Sequence, residues 1–437
     1  MKNQTINTFH QQRIKEAVRV GMISLGCARN TVDSETIVSG VMRKGYSITD
    51  AEQADIVIVN TCGFIEAAKK ESIDVINSLV LLKKQGRIKR IVVAGCLAQR
   101  YAEDLRKGFP EVDAFVGVLK LNKDGRQSAV SLTPAYFSYL KICESCYNQC
   151  SFCAIPDIKG RFTSRTPESI CDDVRRLDRQ GIKEVNIVGQ DITAYGYDLF
   201  KEKRLAGLLT AIARVAGNIG WIRLLYTYPA HITDELLDVI ASEPKLCKYI
   251  DMPLQHINDR ILKKMNRNIT RAQTEALIHK IRRKVPGVSL RTTFITGFPG
   301  ETEEEFSELV QFIRDFGFER AGAFTYSKED GTKASAFTDN VPAKEKEARL
   351  NILMSVQEEV AAMLQEKWIG RILKVLVDDV RTLRTSEDPG FFGRSEYDAP
   401  DVDGSVEVKS PRILKPGDFV NVRITGAAGY DLEGIVE

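Results

Sequence analysis

The chain has 437 residues, 43% of them hydrophobic and 28% charged, with a net charge of +3. At roughly 150 residues per domain this length suits about three domains, and the balance is that of a globular protein, not a disordered or fibrous one. No run of about 18 apolar residues is present, which excludes a membrane-spanning helix, and a charge so near neutral does not by itself call for a nucleic-acid partner.

Residues 1–18 are polar and lack the apolar centre of a signal peptide. They read as a mobile tail, and the chain as cytoplasmic, where thiols stay reduced. The nine cysteines therefore need a reason other than disulfides. Cys171, in a helical stretch, and Cys247 suit the plain role of a small buried side chain. The other seven are organised.

Residues 19–130 alternate apolar runs (Val20–Leu25, Asp55–Asn60, Ile91–Ala94, Ala114–Val118) with helical patterns at Ser34–Arg43, Ile65–Leu82 and Ala98–Lys107. This alternation predicts a parallel sheet with helices on both faces. Cys27, Cys62 and Cys96 each stand just past the end of a predicted strand, 35 and 34 residues apart. Ligand sites of open α/β sheets lie outside the carboxyl ends of the strands, so the three thiols have one crevice in which to meet. Thiolates are the usual ligands of iron–sulfur clusters, and three of them leave one iron of a 4Fe-4S cluster open. Three unrelated buried cysteines are the plain alternative. A structural zinc site suits the set less well, because it normally closes with four ligands. No GxGxxG follows the first strand, so a nucleotide fingerprint is missing.

Residues 131–367 open with a strand at Tyr136–Ile142 and then the motif Cys146-Tyr-Asn-Gln-Cys150-Ser-Phe-Cys153. Three thiolates on one loop hold three irons of a 4Fe-4S cluster and leave the fourth for S-adenosylmethionine (SAM). A zinc ribbon needs a second ligand pair nearby. This C-x3-C-x2-C spacing, with Phe152 before the third cysteine, resembles the radical SAM superfamily, and the resemblance puts the Phe152 backbone near the adenine of SAM. Further strands at Glu184–Val188, Ile222–Tyr226, Tyr249–Met252, Arg291–Thr296 and Gly322–Tyr326 alternate with helices. They predict a partial (β/α)6 barrel whose functional groups sit at the carboxyl ends of its strands. Gln190 is a candidate contact to SAM, and Arg223 a candidate partner for its carboxylate. His256 is read as a proton carrier or a hydrogen-bonded loop residue, and Glu301 and Thr302 as a ligand contact or a helix cap.

Residues 368–437 change character. Short β runs at Ile372–Val377, Ser405–Val408 and Phe419–Ile424 are separated by turn signals at Pro389-Gly390, Asp403-Gly404 and Pro416-Gly417. They predict a small antiparallel β-barrel. Residues 371–437 hold nine Lys or Arg against thirteen Asp or Glu. An acidic surface suits a basic partner, or is simply solvated.

The order of a three-cysteine α/β domain, a radical SAM barrel and a small β-barrel resembles the methylthiotransferase family from about residue 19 to the C-terminus. The segments Leu25-Gly-Cys-Ala-Arg-Asn30, Asn60-Thr-Cys-Gly-Phe-Ile-Glu66 and Gly393-Arg-Ser395 with Asp398-Ala-Pro-Asp-Val-Asp-Gly404 are similar to the branch that modifies a small-subunit ribosomal protein, not the branch that modifies tRNA. The resemblance implies two 4Fe-4S clusters, on Cys146, Cys150 and Cys153 for SAM cleavage and on Cys27, Cys62 and Cys96 as an auxiliary centre. It further implies a TRAM-like last domain, a methylthio group delivered to the β-carbon of an aspartate, and an electron donor such as a flavodoxin or ferredoxin. A two-cluster electron carrier without chemistry of its own is the alternative of another class. Two positions depart from the family pattern. Cys143 stands where a small polar residue is usual, which leaves it a stray ligand or a buried thiol, and Ser145 stands where glycine is common.

Overall fold

The computed structural model describes residues 18–382 and 389–437, so the expected tail lies, apart from Val18, outside the described residues. The first unit is a five-stranded parallel sheet of β1 (Arg19–Ser24), β2 (Ser47–Thr49), β3 (Ile56–Thr61), β4 (Arg90–Gly95) and β5 (Ala114–Val116), in the order β2-β1-β3-β4-β5. Val57, Val59, Ile91 and Val93 pack with Ile76, Leu79 and Val80 of the helix Glu66–Lys84. Each such burial contributes about 1.5–3 kcal/mol. The chain runs from β1 outward to β2 and then crosses to β3, so the strand order reverses between β1 and β3. A crevice opens at that point beyond the strand ends.

The edge strand β2 was not anticipated, because Ser-Ile-Thr is short and largely exposed. The helix expected over Ser34–Arg43 begins at Ala28, directly after Cys27. Its first turns lack an apolar stripe because Asn30, Asp33, Ser34 and Glu35 are buried polar residues.

The second unit is an open, all-parallel sheet of six strands: β6 (Phe137–Lys141), β9 (Glu184–Val188), β10 (Trp221–Leu224), β11 (Leu246–Asp251), β12 (Ser289–Thr296) and β13 (Arg320–Thr325), in that spatial order. A two-stranded ribbon, β7 (Cys143–Glu144) with β8 (Thr163–Ser164), brackets the cysteine loop. Leu140, Val185, Ile187, Ile222, Leu224 and Ile250 face the helices. Alternate residues, among them Phe137, Tyr139, Trp221 and Tyr249, face the other way.

The third unit, reached through the helix Ala343–Gln365, is a closed barrel of β14 (Ile372–Thr382), β15 (Pro389–Ser395), β16 (Val406–Lys409), β17 (Phe419–Ala428) and β18 (Asp431–Val436). Its pairs are antiparallel except β16 with β18, which run parallel. The fold class read from the sequence is thus found, with β15 and β18 added; Pro389-Gly390 begins a strand instead of a turn.

The segment between β15 and β16 covers the inner face of the six-stranded sheet. Tyr249 donates to Asp403 at 2.7 Å, Tyr139 to Asp401 at 3.1 Å, and the Arg320 Nε–H to Asp398 at 3.0 Å. Arg291 bridges Asp251 at 3.2 Å and Asp403 at 3.3 Å. Asp398 and Asp403 therefore neutralise arginines inside the molecule, and Asp378 pairs with Arg394 at 2.7 Å. This part of the acidic surplus does not face a basic partner, which corrects the weight placed on charge alone. Among the described residues no helix is long and apolar enough to cross a membrane.

Candidate active site: two cysteine triads on one cavity

A cavity of about 260 Å³ opens where the carboxyl ends of the two parallel sheets meet, and Cys27, Cys62, Cys96, Cys146, Cys150 and Cys153 all line it. Cys27 follows β1, Cys62 follows β3 and Cys96 follows β4. Gly26, at φ +87°, lies so close to Cys62 that a Cβ on it would fall 2.7 Å from the Cys62 Cβ. Glycine there lets the first two cysteine loops touch. Asn30 joins the set: its Nδ2 donates to the carbonyls of Leu25 (2.9 Å) and Thr61 (3.2 Å), and its Oδ1 lies 3.9 Å from the Cys96 sulfur.

On the opposite wall the Asn148 backbone N–H and Nδ2 lie 3.3 and 3.4 Å from the Cys146 sulfur, and Nδ2 also donates to Asp191 at 2.8 Å. Arg267 donates toward Cys150 at 3.5 Å and stacks over Tyr228, 4.2 Å from the ring centre. The loop is pinned from below, where the Ser151 N–H donates to the Met265 carbonyl and its hydroxyl to that of Lys264. Phe152 lines the cavity while packing against the cluster of Phe298, Tyr326 and Met265.

Burial pushes the Cys96 and Cys153 thiols up to about 12 and Cys146 to about 11, with Asp191 adding to the effect at Cys146. Burial also raises Cys62. At Cys27 the same burial is more than offset by the Arg29 guanidinium together with the Asn30 and Arg29 backbone N–H groups, which leaves that thiol below its ordinary value. Buried thiolates need compensating positive charge, and a metal centre supplies it. Among the described residues no three His, Cys, Asp or Glu side chains close on a point that would hold a single metal ion. All six thiols line the same space. Two buried polar atoms on the cavity residues, Gln190 Oε1 and Arg267 Nε, have no hydrogen-bond partner. The cavity thus fits iron–sulfur clusters together with a polar ligand.

Gln190 reaches the cavity, and its Nε2 donates to Glu144 at 2.5 Å. Glu144 belongs to a buried network: Lys141 contacts it at 2.7 Å and also pairs with Asp33, while Lys159 lies 3.0 Å from Asp33 and 3.5 Å from Glu144. Neither this network nor Arg29, Asn148 and Arg267 was singled out from the sequence. Arg29 and Asn30 did lie inside a family-like segment.

Arg223 does not reach the cavity. It is fully buried, pairs with Glu184 at 2.8 Å and donates to the Glu396 carbonyl at 2.6 Å. Strand parity turns it to the inner face of the sheet, beneath the terminal barrel, away from the cysteine-lined cavity where the sequence reading expected it to meet a SAM carboxylate. Cys143 is buried with its sulfur 3.7 Å from the Asp191 carbonyl, and Cys171 and Cys247 are buried as well; none of the three lines the cavity. His256 is buried and hydrogen-bonds Glu301 at 3.1 Å, while Thr302 caps the next helix.

Two thiol triads facing one cavity at the mouths of two parallel sheets define a radical SAM enzyme with a second cluster site. Residues 140–313 match the radical SAM superfamily, 19–117 match the uncharacterized protein family UPF0004, and 369–436 match the TRAM domain. The fold is similar to that of the radical SAM methyltransferase TsrM from Kitasatospora setae, solved with cobalamin and a [4Fe-4S] cluster, at TM-score 0.55 and 16% identity over 73% of this chain and 77% of that one. The ribosomal protein uS12 methylthiotransferase RimO of Desulfitobacterium hafniense is 43% identical over 96% of this chain and 98% of its own. Those of Thermoanaerobacter sp. (44%; 95% and 99%) and Porphyromonas gingivalis (44%; 95% and 98%) are similar to the same degree. The chain belongs to the RimO family of methylthiotransferases.

Proposed function

We propose that this enzyme adds a methylthio group to the β-carbon of an aspartate in ribosomal protein uS12. The observation that carries the reading is the convergence of both cysteine triads on one cavity, in a chain alike over nearly its whole length to enzymes that act on uS12. Cys146, Cys150 and Cys153 hold one 4Fe-4S cluster, and Cys27, Cys62 and Cys96 the other. Bound there, the first would supply the electron that splits SAM, and the second would carry on its open iron the sulfur that is methylated and transferred. Phe152 and Gln190 position SAM; the unpartnered Gln190 Oε1 is an acceptor for its ammonium group. The aromatic and apolar walls, including Tyr226, Tyr228 and Phe64, keep water from the reacting carbon. A reduced flavodoxin or ferredoxin delivers the electron, and the enzyme works in the cytoplasm, where ribosomes are made.

The test reconstitutes and reduces the protein, supplies SAM and sulfide, and offers a uS12 loop peptide and bulk tRNA separately, with mass spectrometry as readout. A methylthiolated aspartate with unmodified tRNA is the expected result. Modified adenine in the tRNA with an untouched peptide overturns the choice of substrate. Cys150→Ala abolishes deoxyadenosine formation, whereas Cys62→Ala spares it and stops methylthiolation; product from Cys62→Ala contradicts the division of roles.

A further inference from the structure

Arg29 occupies an unusual place. It follows Cys27 by two residues, lines the shared cavity, and crosses from the first unit to the second. Its Nη1 donates to the Gly189 carbonyl at 3.0 Å, at the end of β9 and next to Gln190. Its guanidinium lies 4.3 Å from the centre of the Tyr226 ring, just past β10. Tyr226 itself is held at φ +67°, a left-handed conformation rare for a bulky residue and common where function imposes strain. Cys27 and Arg29 line the same cavity. Arg29 thus joins the loop that carries Cys27 to two strand ends of the second sheet.

We propose that Arg29 is the positioning residue of the auxiliary centre: it clamps the Cys27 loop to the strand ends that frame the SAM site and holds a fixed positive charge beside Cys27 in the shared cavity. The inference rests on the assignment of Cys27, Cys62 and Cys96 to a cluster. Hydrogen bonds to cluster sulfurs and nearby charge set the reduction potential, so Arg29 makes the auxiliary centre easier to reduce. Its planar fork also serves several contacts at once, which a lysine ammonium does not reproduce.

The experiment uses the full chain carrying C146A, C150A and C153A, so that only the auxiliary cluster forms, and follows its reduction by electron paramagnetic resonance in a redox titration. R29Q is expected to lower the midpoint potential of the bound cluster, and R29K to keep most of it. With both triads intact, R29Q and R29K are each expected to release several-fold more deoxyadenosine per methylthiolated product, because the clamp is loosened. A merely structural role lowers cluster content and leaves the potential of the bound fraction unmoved; that result in R29Q overturns the proposal. If R29Q proves too unstable to load, R29K decides: an unchanged ratio of deoxyadenosine to product overturns the clamp. Failure of the Arg29 parent to bind any cluster overturns the auxiliary site and this inference with it, whereas failure to modify uS12 leaves the potential measurement standing.

Discussion

Lys159 Nζ lies 3.0 Å from Asp33 Oδ2, across the junction between the two parallel sheets. Lys141 binds the same carboxylate and also Glu144, and Glu144 accepts from Gln190 on the cavity wall. Four buried charges thus connect the helix that begins at Ala28 with Gln190 on the cavity wall.

Asp33→Ala removes one carboxylate and leaves two buried ammonium groups sharing one partner. Breaking a buried pair in this way costs about 3–5 kcal/mol. Urea unfolding of the apo protein, compared with wild type, measures the loss. A change below about 0.5 kcal/mol, the range of ordinary surface substitutions, would show that the network contributes nothing to docking the units.

Glu144 also predicts a pH dependence. Burial opposes its ionisation, but Lys141, Lys159 and Gln190 outweigh burial and hold it well below the usual carboxylate range. Its folded-state value is depressed, so its contribution is present above the ordinary value of about 4.3 and fades as pH falls from there through the depressed folded value. The stability gap between wild type and Glu144→Gln should therefore be widest near neutrality and narrow in acid. A gap independent of pH contradicts the ion-pair account.

Ser145 sits at φ +70°, fully buried, with its hydroxyl donating to the Gly160 carbonyl. The left-handed conformation costs a non-glycine residue about 1–2 kcal/mol. Ser145→Ala loses the hydrogen bond and keeps the strain, whereas Ser145→Gly loses the bond and relieves it. After the entropy penalty of glycine, about 0.5–1 kcal/mol, Ser145→Gly should be the more stable of the two by up to about 1 kcal/mol. Thermal melts of both variants decide the order.

Arg223→Met strands Glu184 with Arg394 as its remaining partner. The expected loss is about 3 kcal/mol, partly recovered in the double variant with Glu184→Gln. SAM affinity of the folded fraction, measured by equilibrium dialysis, should stay unchanged. A selective loss of SAM binding would return Arg223 to the active site.

The triads were legible because each cysteine of the first follows an apolar run and those of the second share one loop, so local pattern and strand topology carry the same information. Arg223 was misplaced because the sequence puts it on a strand but does not say which face meets another unit. Arg29, Asp33, Lys141 and Lys159 were given no role of their own for a related reason. Their partners lie on other units, and a polar stretch such as Ala-Arg-Asn-Thr-Val-Asp-Ser-Glu looks like a solvated surface until its neighbour is in place. The strands β2 and β18 are short, mixed in polarity and at least half exposed, so they carry little periodic signal.

The segment from Ser395 to Gly404 bears on how such enzymes diversify. Because Asp398, Asp401 and Asp403 are keyed to Arg320, Tyr139, Tyr249 and Arg291 of the sheet, the terminal barrel is not an interchangeable cartridge. A chimera that grafts a foreign barrel onto this chain leaves Arg320 without its counter-ion and Arg291 with Asp251 alone unless the graft brings a matching plug. Variation in the terminal domain is thereby channelled to the barrel's outward strands and loops, while the plug behaves as part of the sheet it covers.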